Sequence, residues 1–528
     1  MRLYKQGKTM KTALLRICVV AALGTGLYCV ASSPAAQSKW VHFGAKGRLV
    51  YAPSPKGDHI PDFSYAGYEG GGVALPSVPA VRTVAPSGSD DSAAIQKAID
   101  DVSALPLKDG FRGAVQLAQG TFHCAQTISI AASGVVLRGA GNGKDGTTIV
   151  MTGSPHLAVS AAGNLQQTSA GADTTITDSY VPAGAMVIHV ADASKFHPGD
   201  LLLIRKPVTA AWLHFMGMDD LSRNGKPEHW VGSDHLDVRR RIALIEGNEV
   251  TLTVPLMDSY DASFFDGGHA EVRRIEVSGQ IAHVGVEDLR IVAPKRSIAL
   301  GQPEFDGVFL QDAVDSWVQS VDLEETTNSI HIEQGTERIT VLKCSVVQHV
   351  PVTTPAKPFD FSADGAQILF DRCTGSGDNT FYFATQARQQ GPVVILHSSF
   401  KGDGHIQPHQ RWFTGLLIDN CDVPEGGIDL MNRGEMGSGH GWAIGWAVAW
   451  NNTAGSFKMN QPPGIANWSI GNRGPQTDPP MPVFEGVERA PLHEAVTESA
   501  GKPVNPQSLY LEQLKERLGA EAVKNIGY

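Results

Sequence analysis

Asp90-Asp91-Ser92-Ala93-Ala94-Ile95-Gln96-Lys97-Ala98-Ile99-Asp100 leads into Gly113-Ala114-Val115-Gln116-Leu117-Ala118-Gln119-Gly120-Thr121-Phe122. Thr127-Ile128-Ser129-Ile130 and Gly134-Val135-Val136-Leu137-Arg138-Gly139-Ala140-Gly141 follow. The first segment has Asp in the N-cap region and Ile95, Ile99 and Val102 at helical spacing, which predicts one short amphipathic helix. The other three alternate apolar and polar residues between glycines and read as strands.

Downstream, strand-like runs recur at 284–291, 317–323, 339–345, 368–373, 393–398, 416–421, 447–452 and 468–472, at intervals of roughly 20–30 residues, the signature of a solenoid. Stacked coils place equivalent residues in ladders. Cys344, Cys373 and Cys421 fit one ladder of small apolar groups, and Asn420, Asn452 and Asn472 fit an amide ladder at a turn. Between 174 and 261 the texture changes to hairpin-like strands with Pro198-Gly199 and Gly247-Asn248 turns, which predicts a small β insert. At the end, Asn505-Pro506 and Gly519 bracket a helical pattern with Leu511, Leu514 and Leu518 on one face, a helix expected to dock on the solenoid.

The helix and the three strands that follow it resemble the opening of the pectate-lyase-like superfamily, the rhamnogalacturonase- and epimerase-type right-handed parallel β-helix proteins. Ile60-Pro61-Asp62-Phe63-Ser64-Tyr65-Ala66-Gly67-Tyr68 is similar to an entry segment of exported proteins of that kind. The resemblance implies an all-β right-handed parallel β-helix with an N-terminal capping helix, to which the residue pattern adds a small β insert and a C-terminal helix. The expected layout is a signal peptide at 1–36, an extension packing on the solenoid at 37–90, and the capping helix with the first coils at 91–173. The insert follows at 174–261, the main β-helix at 262–475, and a linker with the docked helix at 476–528.

The composition agrees with such a body. Of 528 residues, 42% are hydrophobic and 18% charged, enough for a large core, and 57 Gly with 31 Pro favour many short strands and turns. A formal charge of -11 gives no reason to expect nucleic acid or an anionic membrane as partner. Lys8, Lys11 and Arg16 precede an apolar run at 17–30 and the small residues at 31–36, the pattern of a secretory signal. A secreted or periplasmic monomer, with no membrane attachment after cleavage, is the expected product. The four cysteines beyond the signal are read as buried thiols rather than disulfides.

Chemistry concentrates between 378 and 461. His405, His409, Arg411 and Arg433 form a basic group in an acidic chain, suited to neutralising a uronate carboxylate while one of them removes the C5 proton for β-elimination. Asp378, Asp403, Asp429 and Glu435 are the carboxylates a glycoside hydrolase would use. Gly439-His440-Gly441 resembles a tripeptide of polygalacturonase-type enzymes, but the paired aspartates those enzymes carry one coil earlier have no counterpart. Arg388, Trp412, Asn432, His440 and Trp442 are the expected substrate-binding residues, with Trp212 and Trp230 as further stacking candidates. The metal ligand set is left open; calcium is one option, through Asp219, Asp220, Asp234, His235 and Asp237. The reading is an exported polysaccharide lyase, with a glycoside hydrolase or a non-catalytic carbohydrate-binding or adhesive β-helix as alternatives.

Overall fold

A computed structural model describes residues 36–223, 226–296, 301–350, 357–477 and 493–528. The expected signal segment falls outside these residues up to position 35. The body is an all-β right-handed parallel β-helix whose coils each lay a strand on three faces. The first face stacks Glu337–Leu342, Ala366–Asp371, Gln390–Leu396, Phe413–Asp419, Val448–Trp450 and Trp468–Ile470 in parallel register. The second is short, with Ser345–Val347, Thr374–Ser376 and Ser399–Lys401. The third runs through Asn328–Ile332, Phe359–Ala363, Phe381–Thr385 and His405–Ile406 to the ends of Asp422–Leu430 and Thr453–Gln461.

One left-handed residue turns the chain from the first face to the second. Lys343, Arg372, His397, Asn420 and Asn451 have φ of 51, 52, 44, 54 and 54°. That conformation costs an L-residue roughly 1–2 kcal/mol. The stack offsets the cost: the corner N–H of Arg372 donates to Leu396 O, that of His397 to Asp419 O, and that of Asn420 to Trp450 O. The next residue points inward and forms a ladder of Cys344, Cys373, Ser398, Cys421, Asn452 and Asn472. Within it Ser398 Oγ accepts from Cys373 N, Asn452 Oδ1 from Cys421 N, and Asn472 Oδ1 from Asn452 N. The amide ladder therefore continues the cysteine ladder. Asn420 is not part of it, because it occupies the left-handed corner one position earlier. All four described cysteines are free and buried.

Inside, Ile339, Ile368, Val393 and Leu416 stack in one column and Val341, Phe370, Ile395 and Ile418 in the next. The helix Ser92–Ser103 closes one end, burying Ile95, Ala98, Ile99 and Val102 against the first coils. A six-stranded antiparallel insert is built from Gln166–Thr175, Glu271–Ser278, Leu201–Pro207, His235–Glu246, Glu249–Leu252 and Val187–His189, in that spatial order. It has a core of its own around Ile188, Ile204, Val250 and Val272.

The outer surface of the first face is covered. Gly67 N donates to Gln367 O, Tyr68 N donates to Thr340 Oγ1, and the Tyr68 ring meets Trp317 edge-on at 5.6 Å. The C-terminal helix Leu509–Leu518 lies beside this segment, with Tyr510 Oη donating to Ala66 O. Its docking centres on Asp419, a fully buried carboxylate that accepts from Ser508 Oγ at 2.7 Å and Tyr510 N at 2.8 Å. Asp419→Ala strands both donors, each hydrogen bond to a charged group being worth about 1.5–3 kcal/mol. The variant is expected to lose on the order of 3–6 kcal/mol, two such bonds together, and to expose the C-terminal helix to proteolysis well below the global unfolding transition. Unchanged protease resistance and an unchanged melt would contradict this role.

Candidate active site

With the first face covered, the third face carries a concentration of histidines, cations and carboxylates, several of them buried. Its outward residues form three rows, each step being one rung of about 4.8 Å. One row holds Phe359, Phe381, His405 and Gly427. The next holds His331, Ser362, Ala384, Gln407, Asp429 and Lys458. A third, at the exit of the strands, holds Glu333, Asp364, Gln386 and His409, with His409 N donating to Thr385 O.

The basic residues gather around Phe381. Its ring lies face to face with Phe359 at 5.0 Å, Lys357 Nζ stands 5.3 Å from its centroid, and the Arg433 guanidinium 5.6 Å. The rings of His409 and Phe359 are 5.5 Å apart. Arg433 Nη1 donates to His409 O at 2.7 Å, while its buried Nε has no hydrogen-bond partner. Gln386 Oε1 lies 3.0 Å from His409 Nδ1; as an amide oxygen it can only accept, so the proton is on Nδ1 and the Nε2 lone pair is free. Burial, then Arg433 and Arg411, push His409 down to about 4, so the ring is neutral at ordinary pH. Burial also brings Arg433 down to about 10, against the pull of Asp429, and lowers Lys357.

Asp429 sits beneath this group, 1% exposed. One oxygen accepts from Gln407 Nε2 and lies 2.9 Å from His405 Nδ1 and 4.0 Å from Lys458 Nζ. The His405 contact is off-line for a hydrogen bond, which makes it an ion pair when His405 is protonated. The other oxygen has no partner. His440 packs edge-on against His409 at 4.7 Å. The loop brings it there because Gly437 has φ of 61° and no side chain; a Cβ at that position would fall 2.1 Å from His440 Nε2.

Several of the expected residues serve other ends. Trp412 and Trp442 are 1% and 2% exposed and cannot stack on a sugar. Trp212 and Trp230 stack at 5.3 Å and meet Trp412 edge-on, filling the seam between insert and solenoid. Trp442 Nε1 donates to Met216 O, and Trp412 Nε1 donates to Asp258. Asn432 is buried and staples its loop, its side-chain oxygen accepting from Gly434 N. Asp378 and Asp403 form a turn ladder at the corner between the second and third faces, where Asp378 Oδ1 accepts from Asp403 N and Asp403 Oδ1 from Asn379 N. Glu435 stands at the N-cap of the short helix Met436–Gly439 and forms no ion pair among the described residues. The backbone of Arg411 joins the Arg388 and His440 turns.

Arg388 lines a separate cleft of about 490 Å³ between the turns after the third face and the insert, together with Asp237, Arg239, Asp312 and Glu337. Two of the acids offered for calcium are engaged elsewhere: Asp237 takes a two-pronged contact from Arg205 at 3.0 Å, and Asp219 lies 2.7 Å from His214 Nδ1.

Sequence reasoning placed Gln386 on this edge but passed over Lys357, Phe359, Phe381 and Lys458, and also His331, Glu333 and Asp364. The signal that finds most of them is rung register: Phe359, Phe381, Lys458, His331, Glu333 and Asp364 fall in the same outward rows as His405, Asp429 and His409, from one to four rungs away.

No family model matches the chain, and no curated protein matches it. Among solved structures it is similar to the tailspike protein gp49 of Pseudomonas phage LKA1, at 12% identity and TM-score 0.34, over 74% of this chain and 67% of that one. The surface adhesin PfbA of Streptococcus pneumoniae gives 11% identity and TM-score 0.37, over 74% and 77%. The A-module of the mannuronan C-5 epimerase AlgE6 of Azotobacter vinelandii gives 11% and 0.31, over 74% and 84%.

The seam below the site is held by the buried pair of Lys206 and Asp258, 2.9 Å apart, with Ser259 O also accepting from Lys206 and Trp446 Nε1 donating to Asp258. Lys206→Met leaves the carboxylate uncompensated, and such losses cost about 3–5 kcal/mol. A denaturant melt of the variant is expected to show that loss. A shift under about 1 kcal/mol would mean the seam does not depend on the pair.

Proposed function

We propose that the chain is an exported enzyme that binds a uronic-acid-containing polysaccharide on the third face and cleaves it by β-elimination, with His409 as the base. The observation that carries this reading is the neutral imidazole of His409, its Nε2 free, set beside Arg433 and within reach of Lys357. A uronate carboxylate bound to Arg433 and Lys357 has its charge compensated, which acidifies the C5–H and stabilises the enolate-like transition state. His409 Nε2 takes the C5 proton, the electron pair forms the C4=C5 double bond, and the C4–O bond breaks. His405, paired with Asp429 on the same face, returns a proton to the departing oxygen. The buried Phe381 ring, stacked on Phe359, holds Lys357 and Arg433 beside it by cation–π contact. Arg411 adds positive charge near His409.

The described helices include none long and apolar enough to cross a membrane.

The test is incubation of the purified chain with polygalacturonate, alginate and glycosaminoglycans, following unsaturated uronate by its ultraviolet absorbance. Unsaturated product is expected from at least one polymer, and His409→Ala is expected to lower kcat about 10²–10⁴-fold with the fold intact. Shortened product with reducing ends but no unsaturation would replace elimination by hydrolysis. Binding without shortening would make the chain a carbohydrate-binding protein.

The acidic limb of kcat/KM reports the free enzyme's base. Since His409 must be deprotonated to act, activity is expected to fall as pH drops through about 4, well below the ordinary histidine value near 6.5. Arg433→Gln removes a repelling charge and moves that limb to higher pH. A limb that stays fixed in this variant would reject His409 as the titrating base.

A further inference from the structure

Two to three rungs below His409 the same face carries a second group that the elimination scheme does not use. We propose that His331, Glu333 and Asp364 form a binding site for one divalent transition-metal ion, zinc by preference. One donor atom from each residue lies within 4.8 Å of the others. His331 Nε2 is 3.4 Å from Glu333 Oε2 and 3.7 Å from Asp364 Oδ2. Two donors each about 2.0–2.2 Å from a tetrahedral zinc stand about 3.3–3.6 Å apart, so an ion enters with small side-chain shifts.

A second observation is independent of that spacing. Asp364 is 4% exposed, and its Oδ1 has no hydrogen-bond partner; His331 Nε2 also lacks one. Leaving a buried carboxylate oxygen unmatched is costly unless something pairs with it. Glu333 Oε1 accepts from Gln334 N, which holds that side chain and leaves Oε2 toward the trio. The Phe309 ring meets the His331 imidazole edge-on at 5.3 Å and limits its rotation. Once a bound ion has displaced any proton from His331, the imidazole and the two carboxylates together carry two negative charges, matching a divalent ion.

The donor set selects the metal. Calcium and magnesium take oxygen ligands, six to eight for calcium, and an imidazole nitrogen in a three-residue set argues against both. One nitrogen and two carboxylates suit zinc, and manganese less well, and leave at least one position open for water or for an anionic or hydroxyl group of a ligand lying along the face. The site stands on these contacts and does not depend on the elimination chemistry.

The test uses the untagged full chain, stripped with a chelator, dialysed and titrated calorimetrically with zinc chloride. One saturable equivalent is expected in the wild type. Asp364→Asn, which keeps the shape, and His331→Ala are each expected to weaken binding by at least about 10–100-fold, the loss that outer-shell changes alone produce. Circular dichroism and the metal-free melt report whether each variant is folded; Asp364→Asn decides the matter if His331→Ala fails to fold. His197→Ala, on an exposed loop of the insert, is the control and should bind as the wild type does. No saturable zinc binding by the folded wild type, or binding that Asp364→Asn leaves intact, would overturn the proposal.

Discussion

Everything in this molecule depends on rungs staying in register, and register depends on the left-handed residue at each corner between the first and second faces. A single residue with φ near 50° turns the chain sharply, and its N–H must find the carbonyl of the rung above. If one corner were to add or lose a residue, every side chain beyond it would change faces. The inward ladder behind the corner guards against that slip: Cys344, Cys373 and Cys421 fill it with small apolar groups, and Ser398, Asn452 and Asn472 tie neighbouring rungs by side-chain bonds to backbone N–H. Because the rungs cannot shift, residues far apart in sequence, such as Lys357, Phe381, His409 and Arg433, are held a few ångströms apart.

The covering of the faces then decides where a ligand can lie. The first face presents Trp317, Leu369, Val394, Leu417 and Val448, all buried under the N-terminal segment, the C-terminal helix or the insert. Such a surface would be an exposed apolar patch if uncovered. The third face presents histidines, carboxylates and cations with two stacked phenylalanines. It divides into a basic half around Phe381 and an acidic half around His331 and Asp364. A neutral histidine beside an arginine in the first half and an unmatched carboxylate in the second are local imbalances on this face, and such imbalances mark candidate sites.

Much of the architecture was legible from residues alone. The amphipathic spacing of Ile95, Ile99 and Val102 announces the capping helix, and the recurring apolar runs announce coils. The cysteine ladder followed from spacing, whereas Asn420 was misplaced because a left-handed corner shifts the chain by one position, a change that period-two alternation does not register. The outer pair of insert strands, Gln166–Thr175 and Glu271–Ser278, buries few apolar side chains and left little pattern to read. At the site, the cluster of His405, His409 and Arg433 was visible as a local excess of cations. The tryptophans misled because an indole that plugs a seam and one that stacks on a sugar look alike in sequence; only Asp258 and Met216, distant in the chain, tell them apart. His331, Glu333 and Asp364 went unseen since nothing local distinguishes them from surface polar residues until the rungs are aligned.

The central claim is that the third face, and not the cleft beside the insert, is where a polymer binds. A crystal structure of the full chain with an acidic oligosaccharide, using His409→Ala to prevent turnover, tests it directly. Sugar density is expected along the third face, with a carboxylate at Arg433 and Lys357. Density seated between Arg388, Arg239 and Glu337, with the third face bare, would contradict it.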